Sequence, residues 1–127
     1  MKKIISTAKA PSAIGPYNQA TSFEKLIFTS GQIALDPVTM EVVNGTVQEQ
    51  TKQVMENLKA VLEEAGSSFE NVLKTTCFLA NMEDFVAFNE IYGQYFKGET
   101  APARSTVAVK TLPKNVLVEV EVIAYKN

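Results

Sequence analysis

Between Thr46 and Gly66 runs one long amphipathic stretch, and it limits the possible folds more than any other feature of the chain. Thr46-Val47-Gln48-Glu49 has the Ser/Thr-x-x-Glu form of a capping box, in which a hydroxyl and a carboxylate satisfy free amides at a helix start. Val47, Thr51, Val54, Leu58, Val61, Leu62 and Ala65 then recur at three- and four-residue intervals, and Gly66 stands where a left-handed residue closes a helix. The spacing predicts that this face packs while Gln50, Lys52, Gln53, Glu56 and Glu63 mostly face water. A helix with one apolar face must bury it against another layer, and the flanking segments offer strands.

Residues 2–6, 17–22 and 26–30 have strand character, the last two joined through Phe23-Glu24-Lys25 as a hairpin. A turn-rich loop, Ala10-Pro11-Ser12-Ala13-Ile14-Gly15-Pro16, delivers Tyr17, and turns follow at Gly31-Gln32 and Asp36-Pro37-Val38-Thr39. Residues 72–80 form a further strand. Asn81 is expected to cap a second helix, with Phe85, Phe88, Tyr92, Tyr95 and Phe96 as a core-facing aromatic stripe and Gly98 closing it. Residues 107–110 and 116–125, around Leu112-Pro113-Lys114-Asn115, read as an antiparallel pair.

This order predicts an α+β fold whose sheet carries two helices on one face, in a single domain over residues 1–127 with no linker or repeat. In the last strand Val116, Val118, Val120 and Val122 alternate with Leu117, Glu119, Glu121 and Ile123, so both faces look partly buried. Two helices cover only one face, and the other is expected to pack against a second copy of the chain.

The composition removes whole reaction classes. With no histidine, there is no Ser-His dyad, no His-ligated zinc and no imidazole base. Twelve basic and fourteen acidic residues are scattered along the chain for a net charge of -2, which leaves no basic stripe for a phosphate backbone, so nucleic acid is not an expected partner. The one cysteine, Cys77, lies mid-strand, reads as a packing residue and fits a reducing compartment. Met1-Lys2-Lys3-Ile4-Ile5 is too short an apolar run for a secretory signal, which needs roughly 7 to 15 residues. No stretch nears the roughly 18 apolar residues of a membrane span, and a cytoplasmic protein is expected.

The chemistry concentrates near the C-terminal end. Arg104, in Pro102-Ala103-Arg104-Ser105-Thr106, is permanently charged and offers five donors in a planar fork that fits a carboxylate. Glu119 lies in the same supersecondary unit and is the available proton acceptor. Two arrangements fit this pairing: an ion pair tying two strands together, or an anion anchor beside a general base. Asn89, one turn past Phe85, is either a surface polar residue or a ligand at the helix edge. Tyr17 either packs on Gly15-Pro16 or turns its hydroxyl toward a neighbouring subunit.

Several blocks in order along the chain carry a family resemblance: Ala13-Ile14-Gly15-Pro16-Tyr17, Ser30-Gly31-Gln32, Asn57-Leu58-Lys59-Ala60-Val61-Leu62, Phe88-Asn89-Glu90-Ile91-Tyr92, Pro102-Ala103-Arg104-Ser105 and Val118-Glu119-Val120-Glu121. They resemble the RidA, or YjgF-type, reactive-intermediate deaminases over essentially the full length. The resemblance implies a chorismate-mutase-like mixed sheet and a homotrimer with clefts between subunits. It also implies hydrolysis of enamines and imines of 2-oxo acids, such as 2-aminoacrylate, to the oxo acid and ammonia, without cofactor or metal. By the same resemblance Arg104 binds the substrate carboxylate, Glu119 positions water, and Tyr17, Gly31, Asn89 and Thr106 line the ligand. Thr106 stands where many relatives have cysteine, which removes a thiol from that position. A protein that binds 2-oxo acids without turnover is the alternative function. The ribonuclease label that some relatives carry fits poorly with a chain lacking histidine and a basic patch.

Overall fold

Thr46 opens the long helix as its sequence predicts. The Thr46 hydroxyl accepts the Glu49 amide at 3.2 Å, and the Glu49 carboxylate accepts the Thr46 amide at 3.4 Å, closing the capping box. Helix α1 (Val47–Glu64) ends in a Schellman turn: Gly66 is left-handed at φ 81°, its amide reaches the Glu63 carbonyl, and the Ser67 amide reaches that of Leu62. The predicted stripe is buried throughout, with Val54, Leu58, Val61 and Leu62 fully enclosed. Gln50 departs from expectation. It is buried, and its Oε1 accepts the Leu117 amide at 2.8 Å, joining the helix to the sheet.

The computed structural model describes residues 1–127. Around α1 stand β1 (Lys3–Ile5), β2 (Ala20–Phe23), β3 (Leu26–Thr29), β4 (Val72–Leu79), α2 (Phe85–Tyr95), β5 (Ala103–Ala108) and β6 (Val118–Tyr125). The strands form one mixed six-stranded sheet in the order β1-β2-β3-β6-β4-β5. Both helices pack on the same face, where α1 meets β6 and α2, and the α+β expectation holds. Val118, Val120, Val122 and Ala124 of β6 and Thr75, Cys77 and Leu79 of β4 point into that layer. The opposite face is open and leaves Ile4, Phe23, Leu26, Phe28 and Leu73 exposed.

The expected hairpin of the last two strands is corrected by the sheet order. β5 and β6 do run in opposite directions, but β4 lies between them, parallel to β5 and antiparallel to β6. A parallel pair needs a crossover connection, and α2 provides it, delivering β5 to the free side of β4. β6 has buried positions along its whole length and takes the central place, whereas β5 is mostly exposed and serves as the edge. β5 also begins earlier than expected, so that Arg104 lies inside it.

Three local expectations change as well. Tyr17 is in the loop before β2 rather than in the strand. Asn81 does not cap α2: a single 3-10 turn, Met82–Asp84, intervenes, and Asp84 is the N-cap without a side-chain bond. The second helix stops at Tyr95, and Gly98 opens a further 3-10 turn.

Because the cap of α1 holds the start of the helix that covers the sheet, Thr46→Ala should lower the unfolding free energy by about 1 kcal/mol. Urea denaturation measures this through a lower midpoint at unchanged slope; an unaltered midpoint would show that the cap does not contribute.

Candidate active site

Edge strand β5 and helix α2 build the seat of Arg104. In the parallel register Arg104 lies opposite Thr75, and Thr106 opposite Cys77, so both side chains leave β5 on the helix-covered side of the sheet. Phe85, Asn89 and Tyr92 follow one another at four and three residues along α2 and present one face to that strand. The guanidinium carbon of Arg104 lies 5.2 Å from the centre of the Phe85 ring and 4.7 Å from that of Tyr92. Its Nη1 donates to Asn89 Oδ1 at 2.7 Å. Tyr92 is itself fixed, since its hydroxyl shares a 2.8 Å hydrogen bond with buried Thr75.

Two aromatic faces and one amide thus hold the cation, each ring contributing about 0.5–2 kcal/mol depending on exposure. All three groups are neutral, so the charge is positioned without being cancelled. The remaining donors of the fork are left for an anion. Thr106 stands two residues along the same side, its Oγ1 buried without a hydrogen-bond partner. Below them burial pushes the Cys77 thiol up from its ordinary pKa, against the lowering influence of Thr75 and Arg104. The aromatic stripe therefore has two functions: Phe88 and Phe96 are core, while Phe85 and Tyr92 also seat the arginine. The spacing of 85, 89 and 92 was the available signal.

Glu119 lies on the other face. Its register partner in β4 is Phe78, one position out of phase with Thr75 and Cys77, so its side chain leaves the open side of the sheet. Arg104 and Glu119 of one chain consequently point to opposite faces, with β4 between their strands. They form no ion pair in one chain, and Arg104 is not among the influences on the Glu119 carboxyl. Burial raises the pKa of that carboxyl above the ordinary glutamate value, and the charge of Glu121 raises it further.

The neighbour of Glu119 is Gly31, placed there by a bulge. Phe28 pairs with Ile123, but Gln32 bridges Val120, so the β3 side carries one extra residue over this interval. Thr29 Oγ1 covers the irregularity by accepting the Val122 amide at 2.9 Å. A Cβ on Gly31 would lie 2.8 Å from the Glu119 carboxyl carbon, so only glycine leaves this carboxylate its place.

Tyr17 lies in the loop before β2, where its ring packs beside Gly15. Gln19, not singled out in the sequence, anchors that loop: it is buried, accepts the Thr7 amide at 2.7 Å and donates to the carbonyls of Thr7, Ala10 and Pro11. The Tyr17 ring is half exposed and lines a recess with Ile33, two residues beyond Gly31. The residues singled out in the sequence fall into two groups: Arg104, Asn89 and Thr106 on the helix side of the β5 edge, and Glu119, Gly31 and Tyr17 away from it.

Comparison with known proteins accounts for nearly the whole chain. The family model described as endoribonuclease L-PSP matches residues 7–126. A RutC family protein of Synechocystis is 59% identical over 123 residues, 96% of this chain and 95% of that one. A mouse protein named 2-iminobutanoate/2-iminopropanoate deaminase is 49% identical over 127 residues, all of this chain and 93% of its own. The crystal structure of E. coli TdcF with bound serine superposes with a TM-score of 0.92 at 43% identity, covering 98% of this chain and 99% of that one. The chain belongs to the RidA, or YjgF-type, family.

In this RidA-family protein, Glu121 is the one charged side chain that acts on the Glu119 carboxyl, and it is exposed. Replacing it with glutamine removes a like charge and eases ionisation of Glu119. Glu121→Gln should therefore move the Glu119 titration to lower pH, still above ordinary glutamate because burial remains. Carboxyl carbon NMR reads this directly, and a midpoint that stayed or rose would refute the assigned cause.

Proposed function

We propose that the protein is a hydrolytic deaminase, converting enamine and imine intermediates such as 2-aminoacrylate into 2-oxo acids and ammonia. The observation that carries this reading is the Arg104 seat: a fixed cation held by Phe85, Tyr92 and Asn89, with most of its fork free for a small carboxylate. The deaminase name of the mouse relative and the serine bound to TdcF support a ligand with an α-carboxylate and a nitrogen on the adjoining carbon.

In this mechanism Arg104 grips the carboxylate through two charge-assisted hydrogen bonds, each contributing about 1.5–3 kcal/mol once water is excluded. Asn89 keeps the guanidinium in plane, and Thr106 closes the anion side with its backbone. Glu119 accepts a proton from a water as its oxygen attacks the C=N carbon and returns it to nitrogen, giving the carbinolamine. It then takes the carbinolamine hydroxyl proton and passes it to nitrogen as the C–N bond breaks, leaving the carbonyl and ammonia. The balance is one imino acid and one water to one oxo acid and one ammonia. A carboxyl held above its ordinary pKa suits both the acceptance and the return of the proton. Gly31 makes room for the carboxylate, and Tyr17 directs its hydroxyl across the cleft.

Since Arg104 and Glu119 leave opposite faces of one sheet, the two meet around one ligand only when they come from different copies. We therefore infer that residues 1–127 act as one RidA-like unit of a homotrimer, each cleft taking its arginine from one subunit and its glutamate from the next. The exposed apolar residues of the open face, Phe23, Leu26, Phe28 and Leu73, suit burial in such an assembly. A cytoplasmic location suits the unpaired Cys77. A chain with no histidine and a net charge of -2 offers neither an imidazole base nor a basic surface for the RNA cleavage that the family model's description names.

Ammonia release from an imine made in place by an amino-acid oxidase should exceed the buffer blank. Arg104→Lys should lose at least about tenfold in kcat/KM, because a point ammonium cannot copy the bidentate fork. Glu119→Gln should lose turnover yet still bind 2-oxo acids. A wild-type rate equal to the blank on several imines would favour a sensing protein instead, and near-normal turnover in Arg104→Lys would remove the arginine from its role.

A further inference from the structure

Arg104 is the only arginine of the chain, so the direction of a single side chain decides how an anion is met by a planar fork. Its three supports are not equally secure. Phe85 and Asn89 are partly exposed, whereas Tyr92 is buried and its ring is the nearer of the two, 4.7 Å from the guanidinium carbon against 5.2 Å for Phe85. The face of Tyr92 is therefore the firmest wall of the seat. What fixes that ring lies one layer deeper.

The buried side chains of β4 and β6 are valine, leucine, alanine and cysteine with one exception, Thr75. It is fully enclosed and stands opposite Arg104 in the parallel register. Valine has the same branched shape and suits a central strand equally well, so neither packing nor strand propensity calls for a hydroxyl at this position. The hydroxyl serves Tyr92: the two oxygens lie 2.8 Å apart, and Thr75 is the only hydrogen-bond partner of the phenol. The other neighbours of the ring are Phe88 and Phe96, with centres at 5.3 and 4.8 Å, both tilted rather than edge-on. One hydrogen bond thus sets the tilt that these ring contacts leave open.

We infer that Thr75 is a positioning residue for the anion seat: by tethering the Tyr92 hydroxyl it holds the ring face against the guanidinium and aims the fork of Arg104 before any ligand arrives. A cation is attracted to the face of a ring, and a ring that turns offers its positive edge instead. Without the tether Arg104 keeps Asn89 and Phe85 but swings about them. The consequence for ligands rests on the proposed role of Arg104 as the carboxylate anchor, whereas the tether itself involves no ligand.

Both parts can be read separately. Because no other arginine exists, the Nε–Hε NMR peak of Arg104 is unambiguous, and ring currents shift a proton held over aromatic faces. In the ligand-free protein Thr75→Val should move this peak toward the position of a free arginine, and Thr75→Ser should leave it in place. By calorimetry pyruvate should bind about fivefold more weakly to Thr75→Val and as tightly as wild type to Thr75→Ser. The KM for an imine should rise by the same factor with kcat unchanged. Tyr92→Phe keeps the ring and loses only the hydroxyl, so it should repeat these changes even if Thr75→Val does not fold. The double variant should be no worse than either single one.

An Arg104 peak that stays in place in either variant, or a lower melting temperature with pyruvate affinity intact, overturns the inference. So does a wild type that binds no pyruvate. Ammonia release by a protein whose pyruvate affinity is insensitive to both substitutions removes the tether alone. Pyruvate binding that depends on Thr75 in a protein releasing no ammonia keeps the tether and removes the deaminase.

Discussion

Strand β4 is the constraint from which the functional geometry follows. It takes β5 on one side in parallel and β6 on the other in antiparallel register, and the two registers are out of phase by one side chain. Arg104 shares a face with Thr75 and Glu119 shares one with Phe78. A slip of one residue in either ladder would bring arginine and glutamate to the same face, where the two charges would find each other across β4. The observed register keeps them apart, leaving a cation without a carboxylate and a carboxylate without a cation in each chain.

The surroundings of the two groups follow from that separation. Arg104 is oriented by rings and an amide, which fix direction and leave its charge intact. Glu119 sits half buried beside another acid, so its proton affinity rises instead of falling as it would next to an arginine. An anchor that keeps its charge and an acid that holds its proton more tightly than usual are the two properties that the proposed imine hydrolysis would ask of these residues. Both depend on the same strand register, and the bulge before Gly31 then gives the carboxylate its space.

What could be read from the sequence was what is local. The capping box at Thr46, the left-handed Gly66, the buried face of α1 and the burial of Cys77 follow from short-range patterns and are all present. The pairing of β5 and β6 was misjudged because the turn around Leu112–Asn115 looks like a hairpin, while the preference of β6 for β4 is a long-range effect of burial that no window contains. Gln50, Asn57 and Gln19 were misread or missed for a related reason. A polar side chain on a helix or in a loop looks solvated until the carbonyls and amides it serves arrive from distant segments. The residue types of the candidate site were recognisable from the family motifs, but their division between two faces belongs to the register and needed the structure.

Subunit complementation tests most directly whether one working site takes its arginine and its glutamate from different copies of the chain. Arg104→Lys and Glu119→Gln, each far less active than wild type alone, are unfolded, mixed in equal amounts and refolded together. If sites form between copies, about a quarter of them combine an intact arginine with an intact glutamate, and ammonia release returns to that share of the wild-type rate. A mixture that co-assembles yet stays as inactive as its two parents would contradict the account and return both groups to a single chain.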